Sequence, residues 1–427
     1  MDLTIEGKAF INGSFNNCCI GIKDGKINKI KKIMKGDVHI DFGNKLIIPT
    51  GVDIHVHFRD PGLIHKEDFS TGSIAAAFGG ISCFFDMPNT IPQTTNIGAL
   101  SDKIISASKK SYVDFGIYAG IIDSNIENIE TLAKKCSGFK IYLGSSTNTL
   151  MLNKNKLKES FKKISKTNKT VLLHAEDQLC LKNNEAKKIN LTDHYRSRPA
   201  KCEEISIKDI LSASIGISSK IHICHISSCE AIEMLRNRPK NISCGATPHH
   251  LLLSIEDCPD LQTHYKVNPP IRTILDKEAL YNSVKNGFVD VIESDHAPHT
   301  LDEKNVDFDS APSGIPGVET MFPLFLYLVK KEVLSWQRLI FLTCERPAEI
   351  LGVPKGKIEV GKDADFIVVD MKNDIKIKSK DLHSKCSWTP FEGWKALFPS
   401  HVFVRGEKVI EDNEIQVNQG FGNFIGA

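Results

Sequence analysis

The sequence predicts an α/β protein: a (β/α)8 TIM barrel with a small β-sandwich domain formed by the N- and C-terminal segments. Its 427 residues allow one large domain or two to three small ones. From about Gly51 onward, short apolar runs alternate with longer helical stretches, which is typical of a parallel sheet. Both ends of the chain instead carry short strand-like runs separated by turn residues.

The first fifty residues, 1–50, predict β-structure. Asn12-Gly13 and Asp24-Gly25 each separate two strand-like runs. Such dipeptides favour two-residue hairpin turns, because both positions of these turns need a positive φ. We therefore expect 1–50 to form the N-terminal part of the β-sandwich.

The central region, 51–350, predicts the barrel. A strand-like run at Ile81–Met87 is followed by a helix-like stretch at Asn96–Ser111. Eight such runs are expected, the number that closes a (β/α)8 barrel. They end near His57, Met87, Ala119, Leu143, His174, His225, Thr247 and Asp295.

The last segment, 351–427, turns β-like again. Strands are expected at 357–360, 365–370 and 401–405. Because the two ends of the chain have the same character, we expect these strands to pair with those of 1–50 and complete the small domain.

The charge balance excludes a general polyanion binder. Lys and Arg number 54 and Asp and Glu number 52, so no net field attracts nucleic acid or an anionic membrane. Twelve cysteines are scattered through apolar runs without paired spacings, which predicts buried free thiols in a reducing compartment. With no apolar run of ~18 residues and no leader pattern at Met1, we expect a cytoplasmic protein.

Two histidines close the first barrel strand. His55 and His57 stand two residues apart at the end of an apolar run. Alternate side chains of a strand share one face, so both imidazoles project together and are able to hold a divalent metal. The alternative is an ordinary strand with two polar residues.

Further candidate ligands stand at the ends of other predicted strands. They are Lys140, His174, His225 and Asp295. The carboxyl ends of barrel strands meet at one rim, so these side chains should converge with the first two histidines. A metal centre is therefore expected there.

Lys140 is the unusual member, because an ammonium repels a cation. Burial in an apolar strand favours the neutral amine, which captures carbon dioxide to form a carbamate able to bridge two metals. The alternative is a lysine that reaches solvent or pairs with an acid.

An ordered set of motifs resembles the cyclic amidohydrolases and, within them, the dihydroorotase family. The resemblance spans about residues 5–410. The motifs are residues 51–62, 87–90, 138–140, 174–177, 224–227, 266–270, 295–299, 361–365 and 387–391.

This resemblance implies the activity and the metals. The expected reaction is the reversible cyclisation of N-carbamoyl-L-aspartate to L-dihydroorotate. Two Zn²⁺ ions are implied, with carbamylated Lys140 between them. His55, His57 and Asp295 would hold one ion, and His174 and His225 the other. Asp295 is also expected to act as the general base.

The resemblance further implies a substrate pocket. Arg59, Asn89 and His299 would bind the substrate carboxylate, and Asn268 a ring amide. A planar guanidinium suits a carboxylate because it pairs with both oxygens. The alternatives are an ion pair between Arg59 and Asp60, and a turn role for Asn89.

His222 has the opposite strand parity to His225 and should face the helices.

Two other functions stay open. One is a hydantoinase, dihydropyrimidinase or allantoinase, and Arg59 is the residue that discriminates against it. The other is a non-catalytic subunit that scaffolds a partner such as aspartate transcarbamoylase. The partner expected is a small-molecule substrate, not nucleic acid or membrane, and a homo-oligomer is left open.

Overall fold

The computed structural model describes residues 1–144, 150–258 and 262–426. Its first strands form two hairpins, whose turn residues Asn12, Gly13, Asp24 and Gly25 all have the predicted positive φ. The chain then returns in a long strand that runs parallel to the first. These strands are β1 (Leu3–Ile11), β2 (Ser14–Lys23), β3 (Lys26–Lys31) and β4 (Val38–Pro49).

Eight parallel strands follow and pair in sequence order. The ring closes where Val56 bridges His296 and the His57 amide donates to the His296 carbonyl at 2.8 Å. The fold class is confirmed, and each strand ends within three residues of its predicted end. The strands are β5 (Gly51–Val56), β6 (Ile81–Asp86), β7 (Asp114–Gly120), β8 (Gly138–Tyr142), β9 (Thr170–His174), β10 (Lys220–Ile223), β11 (Ile242–Ala246) and β12 (Val291–Ile292).

The C-terminal segment adds the remaining strands. Four of them, β13 and β16–β18, join β1–β4 in one eight-stranded sheet of order β18-β17-β16-β13-β4-β1-β2-β3. The two ends of the chain therefore do pair. The added strands are β13 (Phe366–Val369), β14 (Ile375–Lys376), β15 (Lys395–Ala396), β16 (His401–Val404), β17 (Glu407–Glu411) and β18 (Glu414–Ile415).

The strand expected at 357–360 is wrong, because this segment is an irregular connection. Gly356 and Gly361 flank it with φ values of +81° and +91°, so the backbone turns at both ends. Ile358 is buried but Val360 is 57% exposed, so the run does not form a buried strand face. The domain boundaries at 50 and 350 stay predictions.

Helices connect the barrel strands. Several begin at a side chain that accepts from the first turn, as Asp68, Asn96 and Asp177 do for α1, α2 and α5. The helices are α1 (Phe69–Phe78), α2 (Ile97–Lys110), α3 (Ile129–Ala133), α4 (Leu157–Ile164), α5 (Gln178–Asn183), α6 (Leu191–Ser197), α7 (Ala200–Ser214), α8 (Cys229–Leu235), α9 (Pro248–Leu252), α10 (Ile274–Lys285), α11 (Leu301–Lys304), α12 (Met321–Lys330), α13 (Trp336–Ile340) and α14 (Arg346–Leu351). None that the structure describes is long and apolar enough to cross a membrane.

The terminal sheet is buried on both faces at strand β13. In β13, Phe366 and Val368 join a core within the small domain, whereas Ile367 and Val369 pack into the main core around the barrel. Successive side chains of a strand point to opposite faces, so a run of four apolar residues is what this position requires. The sheet is thereby fixed to the barrel.

The C-terminal tail closes the lower end of the barrel, where the strands begin. Phe115, near the start of β7, donates to the Asn423 carbonyl at 3.0 Å and accepts from the Ile425 amide at 2.7 Å. Ser137 Oγ donates to the Ile425 carbonyl at 2.7 Å. Ile425 packs against the core inside the barrel.

A buried ion cluster joins the same end to the small domain. Lys355 is fully buried, and its Nζ lies 2.8 Å from Asp114, 3.0 Å from Asp363 and 2.6 Å from Asp365. Asp114 begins β7, and the other two precede β13. Arg405 also pairs with Asp114. One ammonium therefore holds carboxylates from both parts of the fold.

The cysteine expectation needs one correction. Cys180 and Cys202 form a disulfide between α5 and α7, although nothing in their spacing of 22 residues indicates a pair. The other ten cysteines are free, and nine of those ten are buried. The expectation of free thiols is therefore wrong for this pair.

We predict that Lys355→Met lowers the free energy of unfolding by about 3–5 kcal/mol, because it removes the ammonium shared by three buried carboxylates. Lys26→Met is the matched control. Lys26 also pairs with Asp363, but its side chain is 53% exposed, and we expect a loss of about 1 kcal/mol or less. Urea unfolding of both variants measures the difference. Equal stabilities would contradict the role given to Lys355.

Candidate metal and substrate site

The two histidines at the end of β5 meet Asp295 from the segment after β12. The Nε2 atoms of His55 and His57 lie 3.2 and 3.1 Å from the same Asp295 oxygen, Oδ1. All three residues are buried. Barrel closure between β5 and the segment after β12 brings them together, as the sequence predicts.

A neighbouring acceptor fixes which nitrogen of His57 faces Asp295. His57 Nδ1 lies 2.6 Å from Asn89 Oδ1, and His55 Nδ1 lies 3.4 Å from Glu293 Oε2. With the His57 proton on Nδ1, its Nε2 turns a lone pair toward the Asp295 carboxylate. Burial, followed by the nearby charge of Lys140, lowers the pKa of His55 to about 4. Two imidazole nitrogens around one carboxylate oxygen suit a divalent metal.

A second pair of histidines lies beside the first. His174 Nδ1 and His225 Nε2 are 3.2 Å apart. His174 donates through Nε2 to Glu176 at 2.8 Å, and Arg198 binds the same carboxylate. Burial lowers the pKa of both histidines, so they carry lone pairs. Because both rings are unprotonated at one nitrogen, His174 Nδ1 and His225 Nε2 are able to bind one metal ion together.

Lys140 lies within this cluster. It is fully buried, and its Nζ donates to Cys224 Sγ at 3.2 Å. Its charge contributes to the lowered pKa of His55, His174 and His225. Across residues 1–144, 150–258 and 262–426, no carboxylate oxygen lies within 4 Å of Nζ. The alternatives of a solvent-exposed lysine or an ion pair therefore do not hold in the described part of the chain.

One cavity of about 270 Å³ joins the metal-ligand candidates to the substrate candidates. The four predicted substrate residues all line it. Lys140 is the one predicted site residue absent from the lining. The lining comprises His55, His57, Arg59, Asn89, Tyr142, His174, His225, Val267, Asn268, Asp295, Ala297, His299, Pro312, Ser313 and Gly314.

Arg59 reaches this cavity without a carboxylate partner. The side chain of Arg59 is buried, and Nε donates to the Pro298 carbonyl at 3.3 Å. Asp60 is held by Lys110 at 2.6 Å, so the expected alternative of an Arg59–Asp60 pair does not form. Within the described ranges, no carboxylate oxygen lies within 4 Å of the guanidinium.

The two asparagines also face the cavity. Asn89 Oδ1 accepts from His57, which leaves its amide group to donate elsewhere. Asn268 Oδ1 is buried, and the described residues offer it no hydrogen-bond partner. An unpaired buried carbonyl is costly, so a ligand that donates an N–H to Asn268 would remove that cost.

The expectation for His222 is wrong. Its Nε2 lies 3.5 Å from Glu293, the residue that also faces His55, so His222 points into the barrel. Strand β10 ends at Ile223, and His225 follows with a φ of +37°. The alternation of side chains along a strand cannot be extended from His225 to His222, because β10 ends before His225.

Sequence reasoning missed the carboxylates that support the ligands. Glu176 stands two residues after His174, and Glu293 two residues before Asp295. That spacing was available in the sequence, but an acid near a histidine is too common to be informative by itself. Glu293 also accepts the His225 amide at 2.6 Å. Ligating histidines are usually held by such acceptors.

Comparison with known proteins places the chain. Residues 46–409 match the Amidohydrolase family. A dihydroorotase from Thermoplasma volcanium is 41% identical over 100% of this chain and 98% of its own length. A dihydroorotase from Methanosarcina acetivorans is 39% identical over 98% of this chain and 94% of its own.

Solved structures agree with this placement. An L-hydantoinase (dihydropyrimidinase) from Arthrobacter aurescens superimposes with a TM-score of 0.95 at 28% identity, covering 99% of both chains. A D-hydantoinase gives a TM-score of 0.91 at 26% identity, covering 100% of this chain and 98% of its own. The match extends over the barrel and over both ends of the chain. This protein belongs to the amidohydrolase family.

Proposed function

We propose that the protein is a zinc-dependent dihydroorotase that interconverts N-carbamoyl-L-aspartate and L-dihydroorotate in pyrimidine synthesis. The sequence relatives support this reading by their names. The observation that carries it is Arg59, a buried guanidinium that lines the cavity beside the metal-ligand candidates.

A buried charge without a partner is expensive, and a bound anion compensates it. L-Dihydroorotate brings a carboxylate to such a site. Hydantoin and dihydrouracil, the neutral rings of the alternative reading, bring none. The choice between these two functions therefore depends on Arg59 and on the donors beside it, not on the metal ligands that both would share.

The donor set fits two divalent ions. His55, His57 and Asp295 would hold one, and His174 and His225 the other. Lys140 would bridge them as a carbamate: its ammonium first loses one proton, and the resulting amine adds to carbon dioxide and releases a second, which leaves a carboxylate-like ligand. When bound, the ions would polarise the ring carbonyl and help to activate water.

The protein groups supply orientation and proton transfer. Arg59, Asn89 and His299 would hold the carboxylate, and Asn268 Oδ1 would accept the ring N–H. Asp295 would take a proton from the attacking water and deliver it to the departing amide nitrogen. In the cyclisation direction the same carboxyl would return a proton to the oxygen that leaves as water.

A non-catalytic scaffold is the weaker alternative. All six metal-ligand candidates are present, and the described structure gathers them at one rim. A protein that only supports a partner has no need of them. Cytoplasmic location stays a prediction, and the oligomeric state stays open.

The first test of the metal centre is Lys140→Ala. We expect loss of most activity and of one tightly held metal, because the proposed bridge is removed. Metal content per chain is measured by mass spectrometry after dialysis, with Lys135→Ala, a change at an exposed lysine, as the control. Two retained metals and near-normal turnover in Lys140→Ala would refute the bridging role.

The test of the substrate is Arg59→Met. Removing one partner of a buried charge pair typically costs about 2–5 kcal/mol, so kcat/KM for dihydroorotate should fall roughly 30- to 4,000-fold. The metals should remain. Arg236→Met, at a surface arginine 51% exposed, is the control.

Steady-state assays on dihydroorotate and dihydrouracil decide between the two functions. We expect the wild type to open dihydroorotate and to leave dihydrouracil nearly untouched. A wild type that prefers dihydrouracil, or an Arg59→Met variant that turns over dihydroorotate normally, would move the assignment to the hydantoinase and dihydropyrimidinase group.

A further inference from the structure

His299 has a neighbour that sequence motifs did not single out. Lys66, in the connection between β5 and α1, places Nζ 3.1 Å from His299 Nδ1. The same ammonium lies 2.9 Å from Glu303 Oε1. Glu303 is itself fixed at the start of α11, where it accepts from the Thr300 amide at 3.1 Å. The lysine is therefore held in place beside the histidine.

The contact determines where His299 carries its proton. An ammonium has no lone pair and only donates, so Nδ1 must accept. Burial, followed by the charges of Arg59, Lys66 and Lys304, keeps the pKa of His299 below its usual value. The ring is therefore neutral, and its one proton sits on Nε2.

That proton points to the cavity wall. His299 Nε2 lies 3.2 Å from the Ser313 carbonyl, which accepts from it. Arg59 Nη2 lies 3.2 Å from the same Nε2. Two donors thus face each other, and the guanidinium gains no acceptor from the contact. A carboxylate oxygen placed there would accept from both.

We propose that Lys66 is a positioning residue for carboxylate recognition: by donating to His299 Nδ1, it keeps the ring proton on Nε2, where a substrate carboxylate would accept it in place of the Ser313 carbonyl. This inference rests on the proposed function. Lys66 itself would not touch the substrate. It acts through His299. It favours the tautomer with the proton on Nε2, which attracts an anion, over the tautomer with a lone pair there, which repels it.

Glu303 explains why the lysine is needed. Its Oε2 lies 3.5 Å from His299 Nδ1. Without Lys66, this carboxylate would be the charged group beside Nδ1 and would attract a proton to it. Nε2 would then present a lone pair to the substrate carboxylate. Removal of the ammonium should therefore reverse the tautomer and not merely loosen the ring.

The kinetic test compares Lys66→Met with Lys66→Arg, which retains a donor. A hydrogen bond to a charged group contributes about 1.5–3 kcal/mol, so Lys66→Met should raise KM for dihydroorotate roughly 10- to 150-fold. We expect kcat to change far less and Lys66→Arg to recover most of the affinity. Lys385→Met is the control, since Lys385 pairs with Asp68 and does not line the cavity.

A spectroscopic measurement determines the tautomer of His299 independently of enzyme activity. In protein labelled with ¹⁵N-histidine, the ring nitrogens of His299 are assigned by their loss in His299→Gln. We expect the His299 ring proton on Nε2 in the wild type and in Lys66→Arg. In Lys66→Met we expect it to leave Nε2.

The outcomes separate the two proposals. A wild type with the proton on Nδ1, or a Lys66→Met variant with unchanged KM and unchanged spectrum, would overturn the role of Lys66. A wild type that does not turn over dihydroorotate would instead overturn the proposed function. The spectrum would still decide whether Lys66 sets the tautomer.

Discussion

The lone pairs of buried imidazoles are the constraint around which the upper rim of the barrel is built. His55 and His57 turn Nε2 toward Asp295, and His174 turns Nδ1 toward His225. An acceptor behind the ring fixes two of these orientations: Asn89 behind His57 and Glu176 behind His174. A metal-binding site needs these rings unprotonated and correctly turned before any ion arrives. The supporting acceptors are thus as much a part of the site as the ligands.

Rigidity at the opposite end supports this rim. Lys355 ties the start of β7 to the small domain, and the tail around Ile425 packs against the interior core. The terminal sheet contributes no residue to the cavity lining. Its contribution is to hold the strands whose ends carry the ligands. Side chains from distant strands can converge within a few ångströms because the barrel does not deform freely.

Much of the fold was predictable because each strand carries its own local pattern. The two hairpins followed from Asn12-Gly13 and Asp24-Gly25, and the rim cluster followed from polar residues at strand ends. The strand expected at 357–360 failed because apolar alternation over four residues does not show whether one face is buried. His222 failed because strand parity holds only while the strand lasts, and β10 ends at Ile223.

Contacts between distant segments could not be read from the sequence. The disulfide between Cys180 and Cys202 depends on how α5 packs against α7, and the approach of Lys66 to His299 depends on how two loops at the barrel rim pack. No spacing rule connects such positions. The motifs indicated which side chains carry chemistry, whereas the three-dimensional arrangement indicates which residues hold those side chains in their working state.

The most direct test of this account is a crystal structure of the metal-loaded protein with L-dihydroorotate bound. We predict two metals bridged by density continuous with Lys140 Nζ, and a ligand carboxylate within hydrogen-bond distance of Arg59 and His299. A carboxylate directed to solvent, or a single metal with an unmodified Lys140, would contradict it.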